Sequence, residues 1–153
     1  MKHVFAMGEP FRVPDGTLVS RFFHRLDDFS IAGGTIEPGT TSRIHVMPFV
    51  TQLTFLRSGE LQVRMKSSRD PAPYTLALRP GEAALTERGT FFQLVNSTQK
   101  TCEVLYIVSP AYVFERDGYN DAVLVEDWQQ AASELPAIAE REQAMRRLRG
   151  DRP

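Results

Sequence analysis

The sequence predicts an all-β domain followed by short C-terminal helices. Turn-forming segments recur through the first two-thirds of the chain, and the segments between them are rich in β-branched and aromatic residues. Many short strands with this spacing are typical of an antiparallel sandwich or barrel. With 153 residues, the chain is long enough for one domain whose core contains a pocket.

The predicted strands lie between Phe5 and Val108. Pro-Asp-Gly and Pro-Gly pairs between them supply the constrained backbone angles that tight turns require. The turns are PDGT at 14–17, EPGTTS at 37–42, RSGE at 57–60, SSRDPAP at 67–73 and RPGE at 79–82. The segments predicted as strands include FSIAGGTI, TQLTFL, LQVRM, YTLAL, FFQLV and EVLYIV.

The pattern changes near the C-terminus, where two short helices are predicted. Asp127 can cap a helix whose first turn is WQQ, and Gln130, three residues later, can complete the cap. Pro136 suits the first turn of a second helix. We therefore assign residues 1–126 to a β-domain with N-terminal strands and residues 127–153 to a helical tail.

Composition limits the classes of partner. The 18 basic and 19 acidic residues give a net charge of −1, so no overall field attracts nucleic acid or an anionic membrane. The single cysteine, Cys102, allows no intrachain disulfide, and no apolar run reaches the length of a signal peptide or a membrane span. We expect a cytoplasmic protein with a small-molecule ligand, no nucleic acid and no membrane partner.

Two spaced motifs resemble those of the cupin superfamily. The first contains Gly39, His45, Met47, Gln52 and Gly59, and the second contains Gly81, Glu87, Gly89, Phe92 and Asn96. Together they cover about residues 35–110. The resemblance implies a double-stranded β-helix, or jelly roll, whose motif strands line the interior. It identifies no activity, because this fold carries enzymes of several classes, storage proteins and ligand sensors.

The metal-binding positions of the family are altered in this sequence. Typical cupins supply three histidines and a glutamate to one divalent metal, and the corresponding residues here are His45, Met47, Gln52 and Phe92. Iron, manganese and zinc sites of this kind need imidazole nitrogens and an anionic oxygen. We therefore predict no metal and no other cofactor. A copper site built from His45 and Met47 is an alternative with only two ligands.

The resemblance also implies which side chains face the barrel interior. Because side chains alternate along a strand, Arg43, His45 and Met47 would point inward together, as would Gln52 and Thr54 on the next strand. We predict His45 as the catalytic acid or base, since an imidazole pKa of about 6.5 suits proton transfer at neutral pH. The predicted ligand-binding residues are Arg43, Met47, Gln52, Thr54, Phe92 and Tyr106.

Each of these residues also has a structural interpretation. Arg43 either holds an anionic substrate or pairs with a surface carboxylate at the barrel rim. His45 is either a catalyst or a hydrogen-bonded structural histidine. Gln52 and Thr54 can satisfy each other as buried polar groups, and Tyr106 can be a buried hydrogen-bonded tyrosine.

Three functions are compatible with this pattern. The first is a metal-independent isomerase, epimerase or dehydratase that acts on a polar metabolite. The second is a module that binds or senses a small ligand without chemistry. The third is a metal-dependent oxygenase or hydrolase with an atypical site, completed by a residue such as Glu87 or Tyr106.

The face opposite His45 and Gln52 is unusually apolar for the outside of a barrel. It holds Ile44, Val46, Leu53 and Phe55. Exposed apolar patches normally mark interfaces, so we expect a homodimer packed through this face, or coverage by the N-terminal strand or the C-terminal helices.

Overall fold

The computed structural model describes residues 4–25, 28–112 and 122–133, together with residues 140, 143, 144 and 147. These residues form eleven strands and one short helix. The elements are β1 (Phe11–Arg12), β2 (Leu18–Arg25), β3 (Phe29–Ile36), β4 (Ile44–Val46), β5 (Thr51–Ser58), β6 (Leu61–Lys66), β7 (Tyr74–Leu78), β8 (Ala83–Thr86), β9 (Phe91–Val95), β10 (Cys102–Ser109), β11 (Val123–Val125) and α1 (Trp128–Ser133).

The strands form two antiparallel sheets with a shared core. The first sheet has the order β1-β2-β3-β10-β5-β8, and the second has the order β11-β4-β9-β6-β7. Strands distant in sequence are neighbours in both sheets, which is the arrangement of a jelly roll. The all-β double-stranded β-helix expected from the sequence is therefore confirmed.

The core is built from the inward-facing residues of both sheets. On β6, Leu61, Val63 and Met65 are buried, whereas Gln62 and Arg64 between them are exposed. These residues join a cluster that includes side chains from β3, β5, β9 and β10. Burying each large apolar side chain contributes about 1.5–3 kcal/mol, so the two sheets are held together mainly by this layer.

The motif residues Gly59 and Asn96 build turns. Gly59 has a φ of 87°, and a Cβ atom there would lie 2.9 Å from both Cys102 Sγ and Thr101 O. The Asn96 amide nitrogen donates to Ile36 O at 2.9 Å and Lys100 O at 2.7 Å. These contacts give Gly59 and Asn96 a structural role in the turns of the two motifs.

The C-terminal segment covers part of the apolar outer face. Ile44 and Val46 are buried in a second cluster with residues of β9, β11 and α1, so coverage by a C-terminal helix is confirmed for these two. Leu53 and Phe55 are only half-buried.

The start of α1 follows the predicted cap. Asp127 Oδ1 accepts hydrogen bonds from Gln129 N at 2.9 Å and Gln130 N at 2.7 Å. The Gln130 side chain accepts from Glu126 N rather than from the Asp127 amide. Pro136 lies outside the described residues, while residues 140, 143, 144 and 147 of the predicted second helix are helical. The boundary between residues 1–126 and the tail stays a prediction.

Candidate ligand site in the barrel

A cavity of about 710 Å³ lies inside the barrel. Side chains from both sheets line it, together with the turn between β1 and β2. Its walls are mostly apolar, with lining residues such as Val13, Val19, Met47, Leu94, Val108 and Leu124. The volume lies within the range of small-molecule pockets, about 300–1,000 Å³. An apolar chamber of this size suits a ligand with a hydrophobic body, which differs from the polar metabolite expected from the sequence.

His45 lies on β4 in the cavity wall and is 6% exposed. Its Nδ1 is 2.9 Å from Arg43 O. Because a carbonyl oxygen only accepts hydrogen bonds, Nδ1 carries the hydrogen, and Nε2 has a free lone pair when the ring is neutral. Burial lowers the pKa of His45, and the Asp15 carboxylate and the Arg43 carbonyl oppose this shift. The structure thus favours a neutral imidazole with a basic Nε2.

Asp15 is the site residue that the sequence interpretation missed. It belongs to the PDGT turn, where its Oδ1 accepts hydrogen bonds from Thr17 N at 2.9 Å and Thr17 Oγ1 at 2.8 Å. Its Oδ2 lies 3.8 Å from His45 Nε2, and both side chains are largely buried. The Arg43 amide donates to Asp15 O at 2.9 Å and so ties the turn to the segment before β4.

The carboxylate of Asp15 and the neutral imidazole of His45 face each other as two acceptors. Their separation is too long for a direct hydrogen bond. The facing carboxylate would therefore stabilise a proton on His45 Nε2. A hydrogen-bond donor on a ligand could reach either acceptor. In the sequence, Asp15 was visible only as a turn former.

Tyr106 lies on β10 and also lines the cavity. Among the described residues its buried hydroxyl forms no well-aligned hydrogen bond, although the Thr17 hydroxyl, which donates to Asp15, lies beside it. Burial and the Asp15 carboxylate raise the pKa of the Tyr106 phenol above its usual range, so the group stays a donor at neutral pH. Gly34 on β3 leaves room for the ring, since a Cβ there would overlap Tyr106.

The structure brings five of the predicted site residues to one cavity. His45, Met47, Gln52, Phe92 and Tyr106 all line it. The Phe92 ring packs on the His45 ring with centroids 4.0 Å apart, and Gln52 Nε2 donates to Thr54 Oγ1 at 3.0 Å. Thr54 is fully buried behind this bond and is outside the cavity lining. The ligand-binding role of each residue stays a prediction.

Arg43 does not point into the barrel. Its side chain is 46% exposed and donates from a guanidinium nitrogen to Glu126 Oε1 at 2.6 Å. β4 begins only at Ile44, so Arg43 does not belong to the inward row of the strand. Burying a guanidinium beside Asp15 and His45 would also cost hydration that the rim position retains. The predicted inward orientation is wrong, and the alternative pairing with a surface carboxylate is confirmed.

The residues around the cavity do not fit the metal of typical cupins. Gln52 donates its amide to Thr54, Phe92 has no lone pair, and Met47 offers a thioether. Glu87, considered as a completing ligand, is exposed and outside the cavity lining. Within the described part of the chain, no three His, Cys, Asp or Glu side chains gather into a group that could hold a metal ion. His45 and Asp15 provide only two donors.

Comparisons with known proteins show the fold. No protein-family model and no curated protein matches the sequence. The chain is similar to Drosophila melanogaster CENP-C bound to CAL1, with 16% identity and a TM-score of 0.59 over 66% of this chain and 79% of that chain.

Two bacterial structures also resemble this chain in fold. The capsular polysaccharide assembling protein CapF from Staphylococcus aureus matches with 15% identity and a TM-score of 0.64 over 82% of this chain and 35% of that chain, so the chain spans about a third of CapF. An uncharacterized double-stranded β-helix protein from Klebsiella pneumoniae matches with 21% identity and a TM-score of 0.56, over 78% of this chain and 82% of that chain.

Among the described residues, no helix is long and apolar enough to cross a membrane.

Proposed function

We propose that this chain, a cupin by fold, is a metal-independent enzyme that uses His45 as an acid and base on a small molecule. The observation that carries the proposal is the orientation of His45 in the cavity wall. The Nδ1 hydrogen bond to Arg43 O directs the basic Nε2 toward Asp15 Oδ2, 3.8 Å away. A base held in one tautomer beside an anionic group is a suitable proton acceptor at neutral pH.

The proposed chemistry is proton transfer next to a carbonyl group. His45 Nε2 takes a proton from a substrate carbon, and the electron pair of the C–H bond forms an enolate. Asp15 stabilises the resulting imidazolium, and the Tyr106 hydroxyl donates a hydrogen bond to the enolate oxygen. Return of the proton to another position or face gives isomerisation or epimerisation and restores neutral His45. Loss of an adjacent hydroxyl as water would instead give dehydration.

The test is proton exchange with solvent, which can be measured without identifying a product. The protein is incubated in D2O with a panel of uncharged ketones and hydroxy ketones, and deuterium incorporation is followed by NMR. We expect incorporation at a single carbon of at least one compound. His45→Gln, which has no basic nitrogen, should lower the rate about 10²–10⁴-fold.

Two variants control this experiment. His45→Ala with added imidazole should regain part of the exchange, because a free base can enter the space of the missing ring. Glu103→Gln, which removes an exposed carboxylate outside the cavity lining, should exchange at the wild-type rate. Full exchange in both His45→Gln and His45→Ala would overturn the mechanism. Ligand binding without exchange in the wild-type protein would identify a binding or sensing module instead.

We also propose a homodimer through the outer face of the first sheet. Leu53 lies between Ile107 on β10 and Leu85 on β8, and Phe55 lies between Leu105 and Ala83 in the next row. Leu85 is 54% exposed. A second copy related by two-fold symmetry would cover this face with the same face, which suits a patch made only of apolar side chains.

The dimer is tested by analytical ultracentrifugation. Leu85→Lys should give a monomer because it introduces a charge into the apolar face at its most exposed side chain. Leu76→Lys, at a 39% exposed position on β7 in the other sheet, is the matched control and should sediment as the wild-type protein. A monomeric wild-type protein at micromolar concentration would refute the proposal. The cytoplasmic location expected from the single cysteine stays a prediction.

A further inference from the structure

We infer that the cavity accepts an uncharged, largely apolar molecule that presents a carbonyl or hydroxyl oxygen to Tyr106. This inference specifies the substrate class of the site described under the proposed function and rests on that proposal. The hydrogen-bonding state of each polar group in the cavity wall indicates where a ligand would be recognised, because groups that already have partners do not need one.

Several polar side chains of the wall are already hydrogen-bonded. Thr17 donates to Asp15, and Gln52 donates to Thr54. Ser30 Oγ accepts from the Tyr112 amide, and the Tyr112 hydroxyl accepts from the Ala122 amide. These contacts lie within the protein and leave the apolar surface between them to contact the body of a ligand.

Two features of the wall remain incomplete. The Tyr106 side chain lines the cavity, and its buried hydroxyl has no well-aligned hydrogen-bond partner among the described residues, although Thr17 lies beside it. The acceptors Asp15 Oδ2 and neutral His45 Nε2 face each other 3.8 Å apart, and neither can donate a hydrogen bond to the other. Thr17, which donates to Asp15, lies beside the Tyr106 hydroxyl, so Tyr106 and Asp15 share one end of the cavity. One end of the cavity therefore offers one donor and two acceptors, which match the oxygen of a ketone or alcohol and an adjacent hydrogen.

Charge at this end selects against anions. Asp15 carries a negative charge that His45 does not neutralise while it is unprotonated, and a ligand carboxylate there would be repelled and desolvated. Besides His45, the described lining residues that can carry a positive charge are Arg21 and His24, and both are exposed. The Arg21 guanidinium lies over the Phe11 ring, 5.5 Å from the centroid. The buried end of the cavity thus has no described cation for an anionic group.

Three probes of nearly the same shape test this inference. They are 2-acetylnaphthalene, 2-isopropenylnaphthalene and naphthalene-2-carboxylate, which place a ketone oxygen, a CH2 group or an anionic oxygen at the same point. Dissociation constants are measured by competition NMR at neutral pH. The ketone should bind about fivefold more tightly than the alkene, as one net hydrogen bond contributes. The carboxylate should bind at least about tenfold more weakly than the ketone, since its charge would be buried beside Asp15.

Variants assign these differences to particular side chains. Tyr106→Phe should bring the ketone to the affinity of the alkene and leave alkene binding unchanged. Asp15→Asn should reduce the discrimination against the carboxylate. Tyr74→Phe removes the hydroxyl of a 43% exposed tyrosine on β7, and Glu103→Gln removes an exposed charge, so both controls should keep the wild-type affinity ratios.

Several outcomes would overturn the inference. They are equal binding of ketone and alkene, carboxylate binding as tight as ketone binding, absence of ketone binding, and an unchanged preference in Tyr106→Phe. Equal binding would mean that water already satisfies the Tyr106 hydroxyl. These ratios require no turnover, so they remain informative if deuterium exchange fails. Correct ratios without exchange would retain the ligand class and remove the catalytic role of His45.

Discussion

The residues of the two motifs form two sets that differ in how their polar groups are hydrogen-bonded. The turn set includes Gly59 and Asn96, and the cavity set consists of the motif residues that line the cavity, namely His45, Met47, Gln52 and Phe92. In the turn set, the Asn96 side chain donates to Ile36 O, Glu37 O and Lys100 O and accepts from Thr98. In the cavity set, His45 Nε2 faces a carboxylate across 3.8 Å, and the neighbouring Tyr106 hydroxyl has no well-aligned partner in the described part of the chain. Complete hydrogen bonding stabilises a fold, whereas unpaired buried groups cost stability and are available to a ligand.

This difference predicts opposite consequences of mutation. Changes in the turn set should lower stability and leave the properties of the cavity intact in the folded fraction. Changes in the cavity set should alter ligand binding or proton transfer with small effects on stability.

Asn96→Ala should lower the free energy of unfolding by about 3 kcal/mol, because it removes the side-chain donor to Ile36 O and Glu37 O and the acceptor of the Thr98 amide and hydroxyl. Urea unfolding measures the change. Gln62→Ala is the matched control, since Gln62 is an exposed amide on β6 and should change stability by less than about 0.5 kcal/mol. Equal effects of the two substitutions would contradict the structural role of Asn96.

His45 should make stability depend on pH. Its pKa is lowered in the folded state, so the unfolded state binds the proton more readily, and stability falls as the pH drops below about 6.5. The slope from this single group is at most about 1.4 kcal/mol per pH unit and ends below the folded-state pKa. At higher pH, both states are neutral at this position and the contribution disappears.

The difference between wild type and His45→Gln isolates this effect from all other titrating groups. Urea unfolding of both proteins is measured between pH 5 and pH 8, and the free energy of unfolding is plotted against pH. The two plots should run parallel above neutral pH. Below it, the wild-type protein should lose stability faster. Parallel curves over the whole range would mean that burial does not shift the pKa of His45.

The sequence was most informative where structure is determined locally. The PDGT and RSGE turns depend on backbone angles that glycine adopts readily, and Gly16 and Gly59 have the expected positive φ. The position of Asp15 beside His45 depends instead on how the β1–β2 turn folds back over the barrel. No spacing in the sequence reports that contact, so the carboxylate was interpreted only as part of a turn.

The orientation of Arg43 was mispredicted for a related reason. Alternation along the strand was extended one position beyond its actual start, since β4 covers only Ile44–Val46. The carboxylate that holds Arg43 at the rim belongs to Glu126, which follows β11 and pairs with it across 83 residues of sequence. Alternation correctly identified His45 and Met47 as cavity residues. The same pattern does not show at which residue a short strand such as β4 begins.

The smallest expected effect is the most direct test of the difference between paired and unpaired groups. Tyr106→Phe removes a buried hydroxyl that has no well-aligned partner in the ranges the structure describes, so the ligand-free protein should be unchanged or more stable by up to about 1 kcal/mol. Tyr112→Phe removes a hydroxyl that accepts from Ala122 N at 3.2 Å and should lose about 1 kcal/mol. Both changes delete one oxygen from a tyrosine that lines the same cavity, and thermal unfolding compares them. A loss in Tyr106→Phe equal to that in Tyr112→Phe would mean that the Tyr106 hydroxyl is satisfied without a ligand. A gain would support the view that the fold keeps this unpaired donor for the molecule that fills the cavity.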